Sequence, residues 1–169
     1  MAEPVPRVVL DTNVLVSALR GNRSRLRTPP VECLKSAQRG ALELVTSPGL
    51  LAELLRVLAY PKLAVPTAEA HAFASLVAAT AQPDGLVRPE GRLHVLQHDP
   101  NDNLVLETAL SGRADYLVTG NLRHFAELGP TDSGLVFRRV RILTPRQFLE
   151  DLHPQSTLPP FTFRVSPVT

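Results

Sequence analysis

At 169 residues the chain is long enough for one domain whose core needs neither disulfides nor a structural metal. Its 44% hydrophobic and 20% charged content excludes disordered and fibrous classes, and one cysteine, Cys33, excludes a disulfide framework and a cysteine-type zinc site. The net charge of +2 is small, but Arg20, Arg23, Arg25 and Arg27 crowd one segment and Arg138, Arg139 and Arg141 another. Guanidinium groups suit bidentate phosphate contacts. The same clusters also fit a solvated surface in a chain that has only two lysines.

Met1 to Pro6 lacks the basic and apolar regions of a secretion signal, and no stretch reaches the ~18 apolar residues of a membrane span. The expectation is a soluble protein, with no membrane partner, in a reducing cytoplasm.

Arg7 to Leu10 is a short apolar run entering Asp11, which predicts a buried strand. Thr12 to Leu19 carries Val14, Leu15, Ala18 and Leu19 at helical spacing, and Gly21 to Pro30 reads as a loop. A helix over Val31 to Gln38 stops before Gly40. Leu42 to Thr46 alternates as a strand. Ser47-Pro48 is a cap followed by proline, opening a helix with Leu50, Leu51, Leu54, Leu55 and Leu58 on it. Thr67 is read as the cap of a helix from Ala68 to Gln82, with Phe73, Leu76 and Val77 as core candidates. Pro83 to His98 is less regular, with short strands expected at Leu86-Val87 and His94 to Leu96.

Asp99-Pro100 repeats the cap-then-proline signal and opens a helix that Gly112 closes. Tyr116 to Val118 is a buried strand, Asn121 to Leu128 holds a short helix, and Val140 to Leu143 is a strand. Thr144 to Gln147 has the capping-box pattern for a last helix to Leu152. This division gives a domain over residues 1–152 and a Pro-rich C-terminal tail over 153–169. Strands separated by helices imply right-handed crossovers and a mainly parallel sheet flanked by helices on both faces, an α/β fold. Ligands bind outside the carboxyl ends of such strands, which directs attention to Asp11 and to Thr119 to Asn121.

Asp11, after an apolar strand, serves either a helix N-terminus or a cation. Glu53 lies near the buried stripe of its helix, with Leu50 and Val57 as neighbours, where a carboxylate needs a metal or a basic partner. Asp99 is placed to cap its helix, and Asp102 falls in the first turn, among Asn101 and Asn103. Glu107, further along, is open to the site or to a solvated face. Oxygen donors of this kind select hard cations, Mg²⁺ or Mn²⁺, over zinc. His71, His94, His98, His124 and His153 show no metal-ligand spacing and read as surface or loop residues.

Four segments taken in order, Val8 to Ala18 with its Asp11-Thr12-Asn13, the helix around Glu53, Asp99 to Asn103 with Glu107, and Ala114 to Asn121 with its Thr119-Gly120-Asn121, resemble the PIN domain over roughly residues 7–152. The likeness is to the VapC-like toxins of bacterial toxin–antitoxin pairs in particular. It implies a PIN-like three-layer fold and a metal-dependent endoribonuclease, with Asp11, Glu53, Asp102 and Thr119 as catalytic residues. It further implies a Mg²⁺ or Mn²⁺ site on Asp11, Glu53, Asp102 and the position of Asn121, with Asn13 and Asp99 in support. The family usually has an acid where this chain has Asn121. RNA is the implied substrate, an antitoxin protein the implied partner and a homodimer the common assembly, with Arg20, Arg23, Arg25 and Arg27 proposed to hold RNA phosphates.

Two other classes compete. A phosphatase using Asp11 as nucleophile would want a second acid two residues on, where Asn13 stands. A PIN-like module that binds RNA or a partner without cutting is the other, and Asn121 is the residue that favours it.

Overall fold

The computed structural model describes residues 3–131 and 134–154. Six strands form one sheet in the order β2-β1-β3-β6-β5-β4: β1 (Arg7–Leu10), β2 (Glu43–Val45), β3 (Tyr116–Val118), β4 (Pro130–Thr131), β5 (Gly134–Phe137) and β6 (Val140–Leu143). The first four in that order, β2, β1, β3 and β6, run parallel. β4 and β5 add an antiparallel edge. The helices are α1 (Thr12–Arg23), α2 (Pro29–Gln38), α3 (Pro48–Leu58), α4 (Thr67–Ala81), α5 (Pro100–Ser111) and α6 (Pro145–Leu152), with short 3-10 helices at Pro61–Leu63 and Leu122–Leu128.

Alternation along the strands builds the two cores. Val8 and Leu10 point to one face and pack with α1, α2, α3, α4 and α6. Val9 and Leu117 point to the other and pack with α5 residues Val105, Leu106 and Ala109 and with Phe125. The result is the expected three-layer α/β arrangement. Every parallel strand ends at the same edge, so Asp11, Thr46, Thr119 and Thr144, each following a strand, share it. Among the described residues no helix is long and apolar enough to cross a membrane.

The structure corrects several sequence expectations. α1 does not stop at Leu19 but runs through Gly21 to Arg23. The glycine is there for packing: a Cβ on Gly21 would sit 2.7 Å from Val31 Cγ2, so its absence lets α2 lie against α1. Thr67 is the first residue of α4 and makes no capping bond; Pro66 occupies the cap position. Leu76 is exposed, because α4 is apolar nearly all round and its buried stripe falls on Ala70, Phe73, Ala74, Val77 and Ala81. The expected strand at Leu86-Val87 is a single bridge from Leu86 to Thr46, and His94 to Leu96 is not a strand. There α5 side chains satisfy the backbone in place of a sheet neighbour. Asn103 Oδ1 accepts from Val95 N at 3.0 Å and Leu96 N at 2.8 Å, and Asn103 Nδ2 donates to Leu96 O at 2.7 Å. Glu107 likewise holds Gly91 N and Arg92 N at 2.7 and 3.0 Å, which makes it a loop anchor. The antiparallel edge of β4 and β5 was not foreseen. Of the expected tail, residues 155–169 lie outside the described residues.

Candidate metal and phosphodiester site

Asp11 stands where β1 gives way to α1, and it is nearly buried, at 6% exposure. Its Oδ1 accepts from Thr12 N at 2.8 Å. That is the first helical N–H, whereas a capping side chain ordinarily takes the second or third. Its Oδ2 accepts from the fully buried Thr119 hydroxyl at 2.9 Å and, at 3.4 Å, from Asn13 Nδ2. Thr119 Oγ1 in turn accepts from Asn121 N at 3.1 Å, so its one proton is committed to Asp11. Asn13 Oδ1 accepts from Gly120 N at 2.8 Å and ties α1 to the end of β3. Every partner of Asp11 is neutral. Burial therefore pushes its carboxyl up to about 6, with the charge of Asp102 adding to the rise and the Thr119 and Thr12 hydrogen bonds opposing it.

Asp102 comes from the first turn of α5. Asp99 makes the ordinary cap there, its Oδ1 accepting from Asn101 N at 2.9 Å, and so leaves Asp102 to face the cleft. Asp102 is 7% exposed. Burial raises its pKa, against the pull of His124, whose Nδ1 lies 3.2 Å from Asp102 Oδ2. His124 Nε2 is 2.7 Å from the side-chain amide of Asn121.

Glu53 arrives on α3. That helix is pinned beside α5 by a buried hydroxyl pair, Ser47 Oγ and Thr108 Oγ1, 3.0 Å apart. Thr108 donates to Leu104 O, so Ser47 is the donor of the pair while it caps Leu50 N. Glu53 is paired in two places with Arg56, at 2.8 and 2.9 Å. Arg56 also donates to Tyr60 Oη and lies 5.6 Å from its ring.

A cleft of about 400 Å³ unites these groups, lined by Asp11, Asn13, Glu53, Asp99, Asp102 and His124. Arg20, Lys62 and Tyr60 also face it, bringing cations and an aromatic ring alongside the acids. Thr119 and Asn121 stand behind this lining as positioning groups. Of the arginine cluster only Arg20 faces the cleft. Arg23 pairs with Glu69 at 3.3 Å and Arg27 with Glu32 at 3.3 Å, and Arg25 occupies the left-handed turn beyond α1. The second cluster lies at the opposite edge, because the Arg138-Arg139 turn leads into the amino end of β6.

Of the two partners open to Glu53 in the sequence, a metal or a base, Arg56 supplies the base. His124, expected as a surface or loop residue, is about half exposed and also lines the cleft against Asp102. The available signal was its spacing: three residues beyond Asn121, a helical turn returns the side chain to the same side.

The donor set suits a hard divalent cation in part. Asp11 and Asp102 are two desolvated carboxylates on one cleft without a strong cation between them, which is the condition a metal relieves. As the side chains stand, no group of three or more His, Cys, Asp or Glu among the described residues is close enough to hold one. Completing the set requires Glu53 to leave Arg56, or another donor to turn in.

A family model described as the PIN domain matches residues 7–123, well over half of the chain. Neither the curated proteins nor the solved structures contain a match.

Proposed function

The chain belongs to the PIN-domain family, and on that premise we propose that it is a Mg²⁺- or Mn²⁺-dependent endoribonuclease. PIN domains are generally nucleases, which supports a hydrolase of phosphodiester bonds. The observation that carries the proposal is the pair Asp11 and Asp102, buried, drawn from different elements, and facing one cleft with Arg20 and Lys62. Asp11 and Asp102 would hold the cation, and Glu53 would join them on exchanging Arg56 for it. When bound, the ion neutralises charge developing on the phosphodiester and lowers the pKa of a coordinated water.

The protein's own residues do the positioning. Thr119 and Asn13 fix Asp11 Oδ2, and Thr12 N fixes Oδ1, so the carboxylate is oriented before any cation arrives. Arg20 and Lys62 offer contacts for phosphates on either side of the scissile bond. Tyr60, exposed at the cleft, offers a face on which an unpaired base stacks, which favours single-stranded or looped RNA. Within this reading the protein is the toxin of a toxin–antitoxin pair acting in the cytoplasm, with an antitoxin protein and a second copy of itself as partners. That finer assignment rests on the VapC-like segments of the sequence.

The test is RNA cleavage with Mn²⁺ by the wild type and Asp11→Ala. Cleavage is expected to need both the ion and Asp11, and equal cutting by the mutant overturns the proposal. Asn121 favours one second reading, a module that binds RNA without cutting it. RNA binding without cleavage by the wild type, with cleavage gained in Asn121→Asp, would establish that reading.

A further inference from the structure

We propose that Arg113, Arg138 and Arg139, at the amino edge of the sheet, form a second phosphate-binding surface, which holds the flank of a long RNA whose scissile segment lies in the cleft. The inference rests on the reading above for the identity of the polyanion, and its test reads binding apart from cleavage.

Two neighbouring turns carry the three residues. Arg113 follows Gly112 at the end of α5, and Arg138 and Arg139 are the two residues between Phe137 and Val140, which pair as the ends of β5 and β6. β3 and β6 are parallel neighbours with Tyr116 opposite Arg141, and Arg141 N donates to Asp115 O at 3.0 Å. Carried back three residues, that register brings the Arg113 turn beside the Arg138-Arg139 turn. Both turns put arginine where glycine is usual. Arg113 has φ 50° and Arg138 φ 55°, the left-handed region in which a Cβ is strained. Gly112 is committed to packing, since a Cβ on it would sit 2.3 Å from Val45 Cγ1. Strain held at exposed charged residues points to a ligand.

The charge of these turns is not answered locally. Glu43 and Asp115 are taken by Arg7, and Asp151 by Arg141 and Tyr116. Among the described residues no acid pairs with Arg113, Arg138 or Arg139, and all three are exposed. The Arg138 guanidinium lies 5.3 Å from the centroid of the Phe137 ring, which holds it in place without neutralising it. Three guanidinium groups on adjacent turns repel one another and suit bidentate contacts to successive phosphates. None of the exposed large apolar side chains lies in either turn, so an apolar protein or membrane anchor is lacking there. Because this surface lies at the edge away from the cleft, it acts on affinity for long RNA and leaves turnover unchanged.

The experiment uses the full chain in EDTA, where metal-dependent cleavage is off, and reads binding of labelled single-stranded RNAs of about 6 and about 20 nucleotides by fluorescence anisotropy across a salt series. The variant combines Arg113→Gly, Arg138→Gly and Arg139→Gln, whose glycines relieve the backbone, so its unfolding midpoint is expected to equal or exceed that of wild type. It is expected to bind the long RNA about tenfold more weakly or worse, with the slope of log affinity against log salt smaller by about 2, and the short RNA within about twofold. Arg139→Glu alone, at an exposed position with ordinary backbone, is expected to weaken the long RNA in the same selective way. Unchanged affinity and slope for the long RNA, or an equal loss for both lengths, overturns the surface and leaves the nuclease reading intact. Failure of wild type to bind either RNA removes both. Selective loss of the long RNA, together with cleavage that does not need Asp11, leaves the surface standing without the nuclease reading.

Discussion

The two edges of the sheet handle their acids in opposite ways. At the amino edge Glu43, Asp115 and Asp151 each meet a guanidinium or a backbone donor. Arg7 at the head of β1 pairs with Glu43 at the head of β2 at 2.9 Å, and its backbone N–H donates to Asp115 Oδ2 at 2.9 Å. Arg141 in β6 meets Asp151 at 2.7 Å, and the Tyr116 hydroxyl donates to the same oxygen at 2.6 Å. These groups are part-exposed and their charges are balanced locally. At the carboxyl edge the acids are the more deeply buried, yet Asp11 has only neutral partners and Asp102 has one histidine. Acids balanced in this way serve the fold. The edge with unbalanced acids costs stability and is therefore the one to associate with a ligand.

The largest effect should come from neutralising Asp11. The pKa of Asp11 in the folded state is raised to about 6 from an ordinary 3.8, so the folded state holds this proton more tightly than the unfolded chain does. Its contribution to stability is full below the ordinary pKa and is lost as pH rises through 6. In metal-free buffer at pH 8, Asp11→Asn should therefore stabilise the protein by up to about 3 kcal/mol, taking 1.36 kcal/mol per pKa unit. The gain should shrink toward pH 4, and thermal unfolding across that range measures it. RNA cleavage should fall by more than about 100-fold in the same variant, since an acid that binds the ion is gone. A variant that is both less stable at pH 8 and fully active would erase the contrast between the edges.

How legible was this site in the sequence? Asp11, Asp99 and Asp102 were readable because each sits at a strand end or a helix start with a strong local signal: an apolar run before the first, proline after the second, a first-turn position for the third. The four parallel strands and most helix starts followed from the same local rules. For Glu53 the sequence left a metal or a base open, and the spacing of three along a helix that brings in Arg56 makes such pairs common. The place of His124 in the cleft was not legible, because the spacing of histidines carries no sign of Asp102, which comes from a separate element. Gly21 misled because it reads as a turn residue locally, and only the approach of α2 explains it. The strand expected near Leu86 is cut to one bridge, its backbone pairing only with Thr46, and near Leu96 the side chain of Asn103 takes the backbone hydrogen bonds that a sheet neighbour would have taken.

An intermediate effect is expected from the balanced edge. Arg7 binds Glu43 through one terminal nitrogen, Asp84 O through the other at 3.1 Å, and Gly112 O through Nε at 2.7 Å. Arg7→Ala leaves those carbonyls without this donor and should destabilise the fold by about 1–2 kcal/mol. Cleavage per folded molecule should be unchanged, because the residue lies at the edge away from the cleft. Denaturant titration beside an activity assay checks both halves. A loss of turnover out of proportion to the loss of folded protein would mean that the two edges are not independent.

The smallest effect concerns the one acid of the cleft that is balanced. Glu53 shares the cleft with Asp11 and Asp102 but is paired in the manner of the amino edge, held by Arg56 at two points. Arg56 is itself largely exposed, so solvent screens the pair and it is weak. If Glu53 joins the bound cation, Arg56 competes with that cation for it. Arg56→Ala should then tighten Mg²⁺ binding by only roughly two- to fivefold. The gain should vanish in Arg56→Ala combined with Glu53→Gln, because the freed carboxylate is gone. Calorimetric titration of Mg²⁺ into the single and double variants measures this. Unchanged affinity in Arg56→Ala would confine the cation to Asp11 and Asp102, and leave Glu53 with a role in the fold alone.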